Sequence, residues 1–386
     1  MNMRISRDIV YIGVNDHETK LFEGQYPVPN GMAYNSYLIK DEKTAVMDTV
    51  DRRFADKWLD NLRSALDGGK PDYLVIQHME PDHSGSILRF LDVYPDALIV
   101  SSAKAFSMMS NFFGFSPDAG RVTVGEGDTL ALGRHTLAFI TAPMVHWPEV
   151  IMSCELTEKV LFSADAFGKF GALDIDEPWL DEARRYYFGI VGKFGAQVQN
   201  LLKKAAGLEF SVICPLHGPV LREDLGKYIS LYDTWSSYTP ESGGILIAYT
   251  SVYGNTKKAV EMLAEKLAGL GCPEVVVRDL AACRLSDAVA DAFRMSGVVF
   301  ASTTYNAGVF PPMREFINAL TERGFSKRRV TFIENGSWAP TAAKTMKAML
   351  EGCRELSYAE NGVTLLSAPN EKTPAALDAL AGELLG

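Results

Sequence analysis

His78-Met79-Glu80-Pro81-Asp82-His83 packs four side chains able to ligate a metal into six residues, directly after the apolar run Tyr73-Leu74-Val75-Ile76. Metal sites tolerate little positional error, so a loop anchored by a buried strand is a suitable place for them. Three more segments each bring one ligand-type residue to the end of an apolar run: Val145-His146-Trp147, Ser163-Ala164-Asp165 and Pro215-Leu216-His217-Gly218-Pro219. The chain has six histidines, and four of them fall in this set. Singly, each has a plainer reading, because a lone histidine is more often a hydrogen-bonded structural residue and a charged loop is usually just solvated. Together, in order and at strand ends, they read as a metal site. His17 and His135 match no part of it and are expected to be surface or structural residues.

The order of these residues resembles that of metal-dependent hydrolases of the β-lactamase superfamily, H-x-H-x-D-H followed by His, Asp and His. Glu80 stands where that pattern has its second histidine. A harder, charged oxygen replaces a neutral nitrogen, and with Asp82 and Asp165 it biases the site away from zinc and toward iron or manganese. The expectation is a binuclear non-haem iron centre. Asp165 would bridge, with His78, Glu80 and His146 on one metal and Asp82, His83 and His217 on the other.

At 386 residues the chain suits two domains. A net charge of -10, with no basic stripe, argues against a nucleic-acid partner. The N-terminal residues show no long apolar run, so neither a secretory signal nor a membrane span is expected. Cys154, Cys214, Cys272, Cys283 and Cys353 are scattered and never form a C-x-x-C pair. They read as free thiols of a cytoplasmic protein, and electrons for the iron must then come through an organic cofactor or another protein.

A boundary is expected in Tyr238-Thr239-Pro240-Glu241-Ser242-Gly243-Gly244, dividing residues 1–242 from 243–386. Upstream, strand-like runs at Ser36–Ile39, Leu98–Val100 and Thr136–Ile140 mix with helical stretches Phe54–Leu66 and Ala196–Ala206. That mixture suits an αββα sandwich, and the resemblance to the β-lactamase superfamily implies an α/β fold of metallo-β-lactamase type. Downstream, Ile245–Tyr249 precedes a helix with Val260, Leu263, Leu267 and Leu270 on one face. Further strands at Glu274–Val277, Val298–Ala301, Val330–Ile333 and Val363–Leu366 predict a flavodoxin-like, doubly wound parallel sheet that binds its ligand at the carboxyl ends of the strands.

Three loops fall at those ends. Thr250-Ser251-Val252-Tyr253-Gly254-Asn255-Thr256 combines hydroxyls, a glycine and a helix N-terminus, which suits a terminal phosphate, and no lysine follows in the Walker position. A helix cap with no ligand is the plainer alternative for this loop alone. Ser302-Thr303-Thr304-Tyr305-Asn306-Ala307-Gly308 and Asn335-Gly336-Ser337-Trp338 add small polar groups and aromatic rings able to stack on a flat heteroaromatic. FMN fits a phosphate pocket and a planar slot on one edge.

With both halves in view, the chain resembles the flavodiiron proteins, or A-type flavoproteins, over nearly its whole length. The resemblance rests on His78-x-Glu80-x-Asp82-His83, His146, Asp165 and His217, fused to a flavodoxin-like half carrying Thr250–Thr256. It implies reduction of dioxygen to water, of nitric oxide to nitrous oxide, or both, at a diiron site fed by FMN. It also implies a head-to-tail homodimer or a dimer of dimers, in which the flavin of one subunit faces the iron site of the other. Because the chain ends directly after the flavodoxin-like half, it resembles the minimal class without a fused rubredoxin. Its electrons would come from a separate donor: rubredoxin, a deazaflavin or a pyridine-nucleotide reductase. Glu23 departs from the family pattern, which has a histidine in the corresponding segment, and if near the irons it would alter hydrogen bonding and charge there. Tyr186 and Tyr187 are candidate pocket-lining donors, although a tyrosine in an apolar helix is more often simply packed. Two rival readings remain at this point, a zinc hydrolase with an accessory flavin domain and a non-enzymatic electron carrier or redox sensor.

Overall fold

The strand Tyr73–Val75 is buried along its whole length, yet its side chains enter two different cores. Tyr73 and Val75 join a cluster lying between two sheets, while Leu74 packs beneath helices on the other side. Ala45–Met47 behaves alike, with Ala45 and Met47 facing one way and Val46 the other. This is the period-two alternation of a strand covered on both faces, and it explains runs that are apolar without interruption. The computed structural model describes residues 3–114 and 120–386.

The first sheet has six strands in the order Ile9–Tyr11, Tyr37–Ile39, Ala45–Met47, Tyr73–Val75, Leu98–Ser101 and Arg121–Thr123. A five-stranded sheet, Thr129–Ala131, Thr136–Thr141, Ile151–Glu155, Val160–Phe162 and Val212–Cys214, supplies Leu137, Phe139, Ile151, Val160 and Phe162 to the core between them. On the outer face of the first sheet the helix Ala55–Leu66 buries Trp58, Leu59 and Leu62, one stripe at helical spacing. Trp58 meets Phe90 of the helix Ile87–Val93 with ring centroids 6.0 Å apart. The αββα sandwich is therefore built as the strand and helix periodicities require.

The second half is a parallel sheet in the order Val275–Asp279, Ser242–Tyr249, Met295–Tyr305, Arg329–Asn335, with Ser357–Tyr358 and Val363–Leu365 both pairing alongside Arg329–Asn335. The fifth strand is thus split into two pieces. In the helix Asn255–Gly269, Val260, Leu263 and Leu267 are buried as expected, but Leu270 is 58% exposed. The helix stops at Gly269, and Gly271, at φ +84°, turns the chain away before Leu270 can complete the stripe.

Two compact units result, Met1–Asp233 and Thr234–Gly386. The division falls inside the helix Leu225–Ser236, slightly before the proline- and glycine-containing stretch that suggested a boundary after residue 242. Among the described residues no helix is long and apolar enough to cross a membrane.

Candidate active site

All seven expected metal ligands follow the carboxyl ends of strands in the first unit. The strand Tyr73–Val75 leads into His78 and Glu80, and a single helical turn, Pro81–Ser84, with proline in its first turn, presents Asp82 and His83. His146 follows Thr136–Thr141, Asp165 follows Val160–Phe162, and His217 follows Val212–Cys214. In sequence these residues are far apart. In space they form two adjoining groups.

In one group, His146 Nε2 lies 3.0 Å from Asp165 Oδ2 and 3.1 Å from Glu80 Oε2. His78 Nε2 stands 3.2 Å from the same Glu80 oxygen and 3.5 Å from Asp165 Oδ2. In the other, His83 Nε2 is 3.1 Å from His217 Nε2, 3.3 Å from Asp82 Oδ2 and 3.2 Å from Asp165 Oδ1. Asp165 turns one carboxylate oxygen to each group. Two further distances close the second group, His217 Nε2 to Asp82 Oδ2 at 3.3 Å and to Asp165 Oδ1 at 3.8 Å.

Contacts behind these side chains decide which atoms point inward. His78 Nδ1 lies 2.9 Å from the buried Glu149 carboxylate, which also accepts the Met79 N–H at 2.8 Å. His217 Nδ1 donates to the Ala33 carbonyl at 2.8 Å, so its proton sits there and the Nε2 lone pair faces the group. Buried Asp48 accepts from the backbone N–H groups of Gln77 and His78 at 2.7 and 3.3 Å and so clamps the start of the loop. Asp48, Met144 and Ala164 all carry positive φ beside the site, as strained positions in functional loops often do. Neither Glu149 nor Asp48 was singled out from the sequence. The available signals were an acidic residue directly after the strand Ala45–Met47 and another three positions beyond His146.

The electrostatics follow from crowding charge in a dry place. Burial alone would push His78 and His146 down, but the surrounding carboxylates win: His78 is raised well above the imidazole range and His146 rises to about 9. Burial would raise Asp165, yet His78 and His83 hold it well below the carboxylate range. Glu23 is solvent-exposed but stands beside Glu80 and His146, and partial loss of hydration together with the Glu80 charge lifts it to about 7. The Tyr186 hydroxyl is buried beside Asp165, Glu80 and Asp82 with no hydrogen-bond partner among the described residues, whereas Tyr187 packs on Phe188 and Tyr232. His17 pairs with Asp174 at the surface, and His135 is buried between Glu155 and Asp8.

In the second unit, a cavity of about 570 Å³ opens at the carboxyl edge of the parallel sheet, a volume suited to a cofactor. Ser251, Val252, Tyr253, Asn255 and Thr256 line one side; Thr303, Thr304, Tyr305, Asn306 and Ala307 line another. Asn335, Gly336, Ser337 and Trp338 close the third. Tyr253 and Trp338 are more than nine-tenths exposed, so two aromatic rings stand free at the rim of the cavity. Thr250 and Ser302 do not reach the cavity. Both are fully buried and hydrogen-bond each other at 3.0 Å beneath it. Gly254 shapes the loop at φ +87° and Gly308 pairs back onto Tyr305, without either lining the space. Ala339, Thr341 and Ser367 line it but were not anticipated; Ser367 follows the last strand, where the switch-point rule could have found it.

Residues 32–218 match the family model described as ODP family beta lactamase, and residues 246–385 match a flavodoxin domain. The anaerobic nitric oxide reductase flavorubredoxin of Salmonella arizonae is 29% identical, covering 91% of this chain and 75% of that one. The rubredoxin oxygen:oxidoreductase of Desulfovibrio gigas superposes with a TM-score of 0.93 at 26% identity, covering all of this chain and 98% of that one. The flavodiiron protein of Giardia intestinalis gives 0.92, also at 26% identity, over all of this chain and 96% of its own. This chain belongs to the flavodiiron family.

The geometry of this flavodiiron chain independently suits a pair of metal ions. Two donors held at about 2.1 Å from one ion stand roughly 3.0–3.4 Å apart, by the chord of their coordination angle. The separations within each group fall around that range, from 3.0 to 3.5 Å for most pairs. Among the described residues Asp82 Oδ1 is buried with no hydrogen-bond partner, while Asp82 Oδ2 and Asp165 Oδ1 face only imidazole nitrogens at 3.2–3.3 Å, an arrangement that a cation between them would satisfy.

Proposed function

We propose that this flavodiiron protein is an oxidoreductase that reduces dioxygen to water, nitric oxide to nitrous oxide, or both. The observation that carries the reading is Asp165 dividing its two oxygens between two buried groups of nitrogen and oxygen donors. When bound, two iron ions and FMN supply the redox chemistry, the flavin taking electrons from an external donor and the metals delivering them to the gas. Dioxygen takes four electrons and four protons to give two waters; two molecules of nitric oxide take two of each to give nitrous oxide and water.

The chain's residues have separable tasks. His78, Glu80 and His146 would hold one ion and Asp82, His83 and His217 the other, with Asp165 offering an oxygen to each group. Glu149 and the Ala33 carbonyl orient His78 and His217. Trp147 packs edge-on against His78 and Phe22 against His217, which keeps bulk water off the donors. The orphan Tyr186 hydroxyl offers a hydrogen-bond donor toward the carboxylates' side of the pocket. In the other unit, the Ser251–Thr256 loop would hold the phosphate of FMN and the Tyr305 and Trp338 loops its ring, all of them lining the one cavity.

Further parts of the reading concern surroundings. The protein works in the cytoplasm as a head-to-tail homodimer, with halves divided at 242/243, and draws on rubredoxin, a deazaflavin or a reductase. Sedimentation measured with and without each donor tests assembly and partner together. The central experiment is anaerobic reduction of iron-analysed protein followed by separate exposure to each gas. Consumption of at least one is expected; native material that holds only zinc, or that consumes neither, would overturn the reading.

A further inference from the structure

The first unit holds a second cavity, of about 90 Å³, where the helices Gly195–Ala205 and Leu225–Ser236 cover the outer face of the five-stranded sheet. Met152 and Leu161 form its floor, and their strand neighbours Ile151, Val160 and Phe162 face the opposite way into the core between the sheets. Val198, Leu201 and Ile229 form its walls. The one polar side chain in the lining is Tyr232, whose hydroxyl accepts the Phe167 N–H at 2.5 Å. A water needs two to four polar partners to be held in such a place, so the space is dry and suits a small apolar guest.

Two features give the cavity a direction. Its outer end is lined by Leu202, Ala205 and Phe210, which are half-buried, and by Ala206, which is exposed, so it opens toward solvent. Its inner end is lined by Val145 and Ala166, both about 1% exposed. The residues next to them in the chain are His146 and Asp165, whose Nε2 and Oδ2 atoms lie 3.0 Å apart in the metal-binding group. Adjacent residues of the same two chain segments therefore carry the inner wall of the cavity and two of the donor side chains.

We propose that this cavity is a gas chamber, holding dioxygen or nitric oxide behind the metal centre and feeding it through the Val145–Ala166 wall. The inference rests on the proposed reaction and adds its route of supply. Both gases are small and weakly solvated, and both partition from water into apolar space. A chamber of this lining concentrates them while excluding water and ions. Small side chains at Ala166, Ala205 and Ala206 keep the passage open; larger ones would fill it.

Xenon-pressurised crystals of the holoprotein test occupancy, and stopped-flow reoxidation of the fully reduced protein tests supply. Xenon is expected between Leu201 and Met152 in the wild type. Ala205→Phe should exclude it and lower the second-order rate constant for gas capture about fivefold, with turnover at saturating gas, iron content and flavin spectrum unchanged. Leu202→Ala, which widens the mouth, should raise that constant, and it serves should Ala205→Phe not fold. A wild-type cavity without xenon overturns the proposal. So does an Ala205→Phe protein that excludes xenon yet captures gas at the wild-type rate, or a Leu202→Ala protein that captures gas no faster. If reduced wild-type protein consumes neither gas, the proposed reaction is what fails, and the xenon maps still decide whether the chamber exists.

Discussion

The metal centre and the flavin cavity recognise their cofactors by opposite means. In the first, charged and imidazole side chains converge in a buried space, two of them oriented by a partner behind, His78 by Glu149 and His217 by the Ala33 carbonyl. In the second, loops at a sheet edge surround the space with small hydroxyl-bearing residues, glycine and alanine, and rings exposed to solvent. A site made of side chains depends on residue identity, and one substitution removes a donor outright. A site made of backbone depends on loop shape, so most single substitutions only weaken it.

That contrast is sharpest at Asp165. Asp165→Ala should remove both metals and reduce gas consumption below detection while the flavin spectrum persists, which metal analysis and absorbance of the same sample will check. Loss of flavin to the same degree would break the division between the two regions. Glu149→Gln keeps the shape and weakens the hold on His78; metal affinity should fall about 10- to 100-fold, measured by competition with a chelator. On the flavin side, Gly254→Val forces a β-branched residue to φ +87°, a strain of about 1–2 kcal/mol. FMN affinity should fall roughly tenfold by fluorescence titration, with iron retained.

The smallest expected effect is on stability. Asp16 is buried and accepts from Thr19 at 2.6 Å and Arg53 at 2.9 Å, and although burial would raise it, these partners hold it below its ordinary value of 3.8. The folded chain thus binds this proton less readily than the unfolded one, so the stabilisation is complete above about pH 4 and fades as pH falls through the folded value. Asp16→Asn should cost about 2 kcal/mol at neutral pH and less in acid, read from urea unfolding at both. A cost that does not shrink in acid would show that the carboxylate's charge is not what matters there.

The same contrast explains what could be read in advance. The seven side chains expected to bind metal stood out because a metal needs specific residue types, and His78 to His83 crowds four of them into one loop; the folded chain gathers all seven into two groups. The flavin loops were legible by position, at strand ends, but not atom by atom: Thr250 and Ser302 proved to be buried supports, while Ser367 and Thr341 line the cavity. Leu270 failed for a local reason, a glycine that ended the helix one residue too soon for the stripe to continue.

Residue identity and periodicity alone determined that this chain has a two-sheet sandwich, a parallel flavodoxin-like sheet and a set of metal-ligating side chains, because alternation, helical spacing and donor chemistry are properties of short segments. Only the folded chain decided that Asp165 faces both groups, that Glu149 stands behind a histidine 71 positions away, and that a dry space lies against Val145 and Ala166. Those depend on how distant segments pack. No short stretch carries that information, since packing is settled by the shapes of all the neighbours together.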